Sequence, residues 1–148
     1  MTQEEEGLNV LIVDDHSLFR EFVRNTLRDS KVANVKIATI DTAINGAQAI
    51  NLIQKARKEG RSYDIVFLDW NMPEISGLEV LGFFRAQPEY ADIAFVMLTA
   101  RSEQRDVMKG IASGATSYIA KPVSAAVLGR RLIEIHQWIT GRSGRATS

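Results

Sequence analysis

Asp64-Ile65-Val66-Phe67-Leu68-Asp69-Trp70-Asn71-Met72-Pro73 reads as a strand that stops on an acid. Ile65 to Leu68 form an unbroken apolar run, and Asn71 and Pro73 prevent the run from continuing as a strand beyond Asp69. A short apolar segment bounded by turn residues is the pattern of a strand buried on both faces. Asp69 therefore stands where a core strand meets solvent. Taken alone it has an ordinary explanation, because Asp commonly ends strands and opens turns. Its meaning depends on what the other strand ends carry.

Upstream, Leu8 to Val13 is a second buried-strand pattern, and it stops at Asp14-Asp15. Phe19, Phe22, Val23, Thr26 and Leu27 then form one stripe of a helix whose other faces carry Arg20, Glu21, Arg24 and Arg28. A strand feeding a helix through a short acidic turn is the first half of a βαβ unit. Val35 to Ile40 predicts the next strand, with an open end. Either Asp41 or Thr42 caps the following helix, or the strand runs to about Ile44 and Gly46 opens the helix. That helix carries Ala47, Ile50, Leu52 and Ile53, and Lys58-Glu59-Gly60-Arg61 ends it.

Downstream, Ser76-Gly77 leads into a helix from Leu78 to Ala86, with Pro88 beyond its end. Ile93 to Leu98 is the fourth apolar run and stops at Thr99-Ala100. Ser102 suits the cap of a helix from Glu103 to Ala112, and Gly114 suits the residue after it. A short fifth strand, Thr116 to Ala120, stops at Lys121-Pro122. In the last helix Ala125, Leu128, Leu132, Ile135 and Ile139 fall within a sector of about 80°. Five strands alternating with five helices predict an α/β domain, a parallel sheet with helices on both faces. Residues 8–139 make that domain, 1–7 a disordered N-terminus and 140–148 a flexible basic tail.

Composition narrows the function classes. The 148 residues are the size of one domain, 45% hydrophobic and 24% charged. Lys plus Arg and Asp plus Glu both total 18, so no basic surplus points to nucleic acid. The absence of cysteine excludes disulfides and a thiolate metal site. The acidic N-terminus does not read as a secretory signal, and no apolar run approaches membrane-spanning length. A cytoplasmic address and no membrane partner are the expectations.

In a parallel sheet of this kind, ligands bind beyond the carboxyl ends of the strands, near the point where strand order reverses. The first strand ends in Asp14-Asp15, the third in Asp69, the fourth in Thr99 and the fifth in Lys121, so these polar residues converge on one edge. Clustered carboxylates repel one another, and a cation relieves the repulsion. Hard oxygen donors favour Mg²⁺, with Mn²⁺ an acceptable substitute. Lys121 adds a point positive charge and Thr99 a hydroxyl, which together with a cation suit a transferring phosphoryl group. With no Ser/His or Cys/His arrangement available, the nucleophile must be a carboxylate.

At these residues the chain resembles the receiver domains of two-component response regulators over residues 8–139. The likeness rests on Asp14-Asp15, the string Leu68-Asp69-Trp70-Asn71-Met72-Pro73 followed by Gly77-Leu78, then Thr99-Ala100, Tyr118 and Lys121-Pro122, in that order. The resemblance implies a flavodoxin-like (βα)5 fold with strand order 2-1-3-4-5. It implies that Asp69 accepts phosphate from a histidine kinase or phosphotransfer protein. Asp14, Asp15, Asp69 and the backbone carbonyl of Asn71 would hold Mg²⁺. Thr99, Lys121 and the Ala100 backbone N–H would contact the phosphoryl oxygens, Thr99 and Tyr118 would shift together on activation, and the Lys121-Pro122 peptide would be cis.

The remaining residues have plainer readings. Trp70 packs at the rim of the site, His16 is a polar residue of a first helical turn, and Trp138 and His136 are structural. Ile133 projects about 140° from Leu128, beside Arg130 and away from the core stripe. In the resembled family that face is the output surface, so Ile133 and Arg130 are candidates for contact with a downstream protein.

The expected role is a stand-alone response regulator, a signalling phosphoacceptor rather than a classical enzyme. It would be monomeric or dimerise on phosphorylation, and bind no specific nucleic acid. The opening Asp14-Asp15-His16-Ser17-Leu18-Phe19-Arg20 also suits the receiver half of a DNA-binding transcriptional regulator. A flavodoxin-like redox protein would need a phosphate cradle after the first strand, where Asp14-Asp15 would repel one. An aspartate-nucleophile phosphatase would need a second acid where Ser17 stands.

Overall fold

The computed structural model describes residues 7–29, 32 and 34–147, with side chains as far as residue 141. The elements run β1 (Leu8–Val13), α1 (Ser17–Arg28), β2 (Ile37–Ala43), α2 (Gly46–Lys58), β3 (Ile65–Leu68), α3 (Gly77–Arg85), a 3₁₀ turn (Pro88–Tyr90), β4 (Ala94–Thr99), α4 (Gln104–Ala112), β5 (Ser117–Ala120) and α5 (Ala125–Thr147). The strands lie in the order β2-β1-β3-β4-β5, every neighbouring pair parallel. This is the flavodoxin-like α/β fold expected from the sequence.

Alternation along the strands sorts the core into two layers. Leu11, Val13, Val66, Leu68, Phe95, Met97 and Tyr118 face α2 and α3, where they meet Ile53, Ala56, Val80, Leu81 and Phe84. Val10, Ile12, Ile65, Phe67, Val96, Leu98 and Ile119 face α1 and α5, against Val23, Leu27, Leu128, Leu132, Ile135 and Ile139. The four residues of β3 are almost wholly inaccessible, because the strand sits mid-sheet under both helical layers.

Several boundaries move from their expected places. β2 starts later and runs to Ala43, and Asn45 caps α2 by accepting from Gln48 N at 2.8 Å. Of the two endings the sequence left open, the longer one holds, with Gly46 opening the helix; exposed Ala38 and Thr39 and half-buried Asp41 and Thr42 at the sheet edge are what blur the apolar pattern. Ala47 is exposed, while Ala49 and Ala56 are buried. Ser102 does not cap α4. Glu103 holds that place, its carbonyl accepting from Val107 N at 3.1 Å and its carboxylate pairing with Arg105 at 2.9 Å. α5 continues to Thr147, past the expected end, since the segment has glycines but no proline to stop it. The expected N-terminal disorder falls on residues 1–6, outside the described residues. Gly7 itself is buried at φ +90°, against the Ala38 backbone.

Arg85 ties α3 to the far end of the sheet. Its guanidinium donates to the carbonyls of Gly114 (2.8 Å), Tyr90 (3.2 Å) and Ile93 (2.7 Å) and lies 4.9 Å from the Phe95 ring centroid. Burial lowers its affinity for the proton, yet arginine keeps its charge in proteins. Arg85→Met leaves these carbonyls unpaired, at about 1–3 kcal/mol for each that water does not reach. The expected loss in urea unfolding is about 3 kcal/mol, and Arg85→Lys recovers less than half of it because an ammonium lacks the planar fork. A loss under about 1 kcal/mol would show that water replaces these bonds.

Candidate functional site

Strand register brings the acids together. Val13 pairs with Leu68 across β1 and β3, so Asp14 and Asp69 leave adjacent strands at the same level. Asp69 N donates to Val13 O at 3.0 Å, carrying the ladder one residue past β3. Leu68 pairs with Met97, and Thr99 with Ala120, which puts Thr99 and Lys121 at the same edge. These ends flank the place where the chain steps from β1 out to β2 on one side and to β3 on the other.

Asp14, Asp69 and Thr99 are buried, at 2%, 4% and 0% exposure, whereas Asp15 is open to solvent. Lys121 Nζ lies 2.7 Å from Asp14 Oδ2 and 3.6 Å from Asp69 Oδ2. The Phe19 ring, 4.1 Å from the ammonium, supports it from the α1 side. Arg20 holds the turn by donating to the Asp14 carbonyl at 2.7 Å. On the α3 side, Gly77 N donates to Trp70 O at 2.8 Å. Burial raises the Asp69 carboxyl above its ordinary range. Lys121 opposes that rise, Asp14 adds to it, and hydrogen bonds from the Thr99 hydroxyl and the Asn71 backbone pull it back down.

The donor chemistry suits a divalent cation. One oxygen from each of Asp14, Asp15 and Asp69 and one nitrogen of His16 all lie within 4.8 Å of one another. Three carboxylates outweigh the charge of Lys121, and the excess is what a hard cation with open water positions would neutralise. The carboxylates of Asp14, Asp15 and Asp69 fit Mg²⁺.

A second group roofs the site. The Arg101 guanidinium sits 4.5 Å from the Trp70 ring centroid, donates to Asn71 Oδ1 at 3.0 Å and pairs with Asp106 Oδ1 at 3.2 Å. Its backbone carbonyl accepts from Tyr118 Oη at 2.7 Å. Trp70 is thus a buried platform. Tyr118 is buried on the same sheet face as Thr99, through the Met97–Tyr118 and Thr99–Ala120 pairs. Its phenol is pushed up, first by burial and then by Asp106. His16 was also misjudged: it occupies the cap position of α1 without making a cap bond, and its ring turns to the acids. Its place next to Asp15 in an acidic turn was the signal available. No local signal gives the partners of Arg101, whose guanidinium reaches across to another loop.

The other expected residues fall as follows. Ala100 is exposed directly after Thr99, and the Lys121-Pro122 peptide is cis. Ile133 is 41% exposed on α5, with Arg130 exposed nearby. Met108 and Ile111 on α4 are also exposed. Among the described residues, no helix is long and apolar enough to cross a membrane.

Comparison with known proteins agrees with this geometry. The response regulator receiver domain family matches residues 10–133. Chemotaxis protein CheY-3 of Vibrio cholerae is 32% identical over 132 residues, which is 89% of this chain and 94% of that protein. Among solved structures, the chemotaxis response regulator CheY4 of Vibrio cholerae superposes with a TM-score of 0.74 at 31% identity, covering 87% of this chain and 98% of that one. The CheX–CheY–BeF₃–Mg²⁺ complex of Borrelia burgdorferi matches with a TM-score of 0.75 at 25% identity, over 87% of this chain and 89% of that one. The family match and the CheY relatives show that the chain belongs to the response regulator receiver domains of two-component systems.

Proposed function

We propose that the chain is a cytoplasmic response regulator receiver that takes a phosphoryl group on Asp69 and switches its binding to a partner protein. The observation that carries this reading is the setting of Asp69, a buried carboxylate with the Lys121 ammonium 3.6 Å away and the Thr99 hydroxyl bonded to it. A carboxylate oxygen of Asp69 attacks the phosphorus of a phosphohistidine on a histidine kinase or phosphotransfer protein. The P–O bond forms as the P–N bond breaks, and the imidazole leaves with the electron pair. Lys121 and Thr99, with the Ala100 backbone N–H, would meet the phosphoryl oxygens, while burial of Asp69 limits water at the acceptor. Mg²⁺, held by Asp14, Asp15, Asp69 and the Asn71 carbonyl, would neutralise the charge of the acids and the phosphoryl group. The Mg²⁺ and the partner protein CheX in the Borrelia relative's complex support this choice of ion and of output.

Phosphorylation moves the Thr99 hydroxyl toward the new oxygens. The space vacated lies on the Tyr118 face, so Tyr118 follows and gives up its bond to the Arg101 carbonyl. The readout falls on the exposed Met108, Ile111 and Ile133 with Arg130, across α4 and α5. The protein then acts as a monomer or a phosphorylation-dependent dimer, without specific DNA binding.

Acetyl phosphate with Mg²⁺ should add one phosphoryl group, seen by intact mass, and hydroxylamine should remove it as it does an acyl phosphate. Chelating Mg²⁺ should abolish the uptake. A modification stable to hydroxylamine, or one indifferent to Mg²⁺, would defeat this reading.

A further inference from the structure

His16 touches the acid cluster, yet the phosphoacceptor reading assigns its ring no role. Its Nδ1 lies 3.0 Å from Asp14 Oδ1 and 3.0 Å from Asp15 Oδ1. The placement is built in by the turn: His16 N donates to Asp14 Oδ1 at 2.9 Å, and the backbone at φ −99°, ψ 110° holds the residue in the cap position without spending its side chain on the helix. The nitrogen therefore shares one small volume with the carboxylates of Asp14, Asp15 and Asp69.

That spacing matches a coordination shell. Neighbouring donors of an octahedral ion at bonds of about 2.1 Å stand about 3 Å apart. An imidazole nitrogen adds little for Mg²⁺, which selects hard oxygens, but it raises the affinity of a site for first-row transition ions, in the order Mn²⁺ below Ni²⁺. We propose that His16 donates Nδ1 to the metal, making this a mixed nitrogen and oxygen centre that binds a divalent transition ion in preference to Mg²⁺. The inference rests on the metal site of the proposed function. Beside the carboxylates Nδ1 donates its N–H; as a ligand the ring would carry its hydrogen on Nε2 instead and turn the freed Nδ1 lone pair to the ion they share, and its side chain, 69% exposed, has room to do so.

The test uses the full chain without a histidine tag, with Trp138→Phe so that Trp70 is the sole indole reporter. Mg²⁺ and Ni²⁺ are titrated separately by Trp70 fluorescence into the parent and into His16→Ala. The expected result is Ni²⁺ affinity lowered about ten-fold or more in His16→Ala, with Mg²⁺ affinity changed less than about two-fold. With Mn²⁺ bound, electron spin echo modulation should show coupling to a ¹⁴N nucleus that disappears in His16→Ala and persists in His136→Asn, which removes the other histidine. Absence of ¹⁴N coupling, or equal loss of Ni²⁺ and Mg²⁺ binding, overturns the role of His16 while leaving the Mg²⁺ site standing. If no divalent ion binds the parent by fluorescence or by calorimetry, the metal site itself falls, and this inference with it.

Discussion

Asp69→Asn takes up no phosphoryl group from acetyl phosphate under conditions that modify the parent, and at pH 7 it unfolds at a higher temperature than the parent. The first outcome follows from chemistry, since an amide oxygen carries no charge with which to attack phosphorus. The remaining acids are poor substitutes: Asp14 is engaged by Lys121 at 2.7 Å, and Asp15 is open to solvent. Residual modification should fall by about 10²-fold or more. The second outcome follows from linkage. Burial, with a smaller contribution from Asp14, raises the carboxyl of Asp69 in the folded state, so the folded chain binds that proton more tightly than the unfolded chain. The stability associated with the proton is present below the unfolded value of about 4 and is lost as pH rises through the folded one. At neutral pH the parent carries this penalty and the asparagine variant does not. The asparagine variant's midpoint should therefore lie above the parent's. The gap should narrow at about pH 3.5, below the unfolded value, where the parent regains the stability of the bound proton. Differential scanning at the two pH values checks this. Equal midpoints at pH 7, or a gap that does not narrow in acid, would refute the penalty, and undiminished labelling would refute the acceptor.

What could be read from the sequence was set by burial and period. β3 is legible to the residue because a strand covered on both faces must be wholly apolar, and its end is marked by the first charge. The same contrast marks Asp14, Asp69, Thr99 and Lys121, each the residue at which a buried strand ends or the one just after it. Edge strand β2 was blurred because half of its surface is solvated and tolerates Thr and Asp. The α4 cap was misplaced because a serine one residue early has the better side chain, whereas the carbonyl hydrogen bonds select Glu103. The partners of Arg101 and Arg85 escaped for a different reason. Long side chains reach partners in other loops, 30 residues away for the Arg101–Asn71 bond and 29 for the Arg85–Gly114 bond. No local pattern encodes such a pair. His16 fell between the two cases: its position was visible, but the direction of its ring is decided by the turn geometry.

The Gly77–Leu78 pair that helped identify the chain has a steric meaning that supplies a second large effect. An ideal Cβ on Gly77 would lie 1.9 Å from the Asp69 carbonyl oxygen, 2.8 Å from its carbonyl carbon and 3.0 Å from Trp70 Cα. All three are backbone atoms of the segment that presents the acceptor, and none can rotate aside as a flexible side chain would. The demand is for space, since Gly77 does not occupy the positive-φ region. To admit a methyl group, the N-terminus of α3 must retreat from the strand end. It would take with it the Ser76–Glu79 capping box and the buried Val80, Leu81 and Phe84. Gly77→Ala should therefore cost about 4 kcal/mol, at the upper end for overpacking because the clash is with backbone. In whatever fraction folds, Asp69 is displaced and acetyl phosphate labelling slows by about ten-fold or more. Gly82→Ala on the same helix is the control. It is exposed, a Cβ there meets nothing within 4 Å, and alanine in a helix interior gains about 0.5–1 kcal/mol over glycine. Urea unfolding of the two variants should thus move in opposite directions, one well below the parent and one slightly above it. A Gly77→Ala protein that matches the parent in both midpoint and labelling would mean that the helix is not seated against the acceptor, and the close approach of α3 to Asp69 would have to be abandoned.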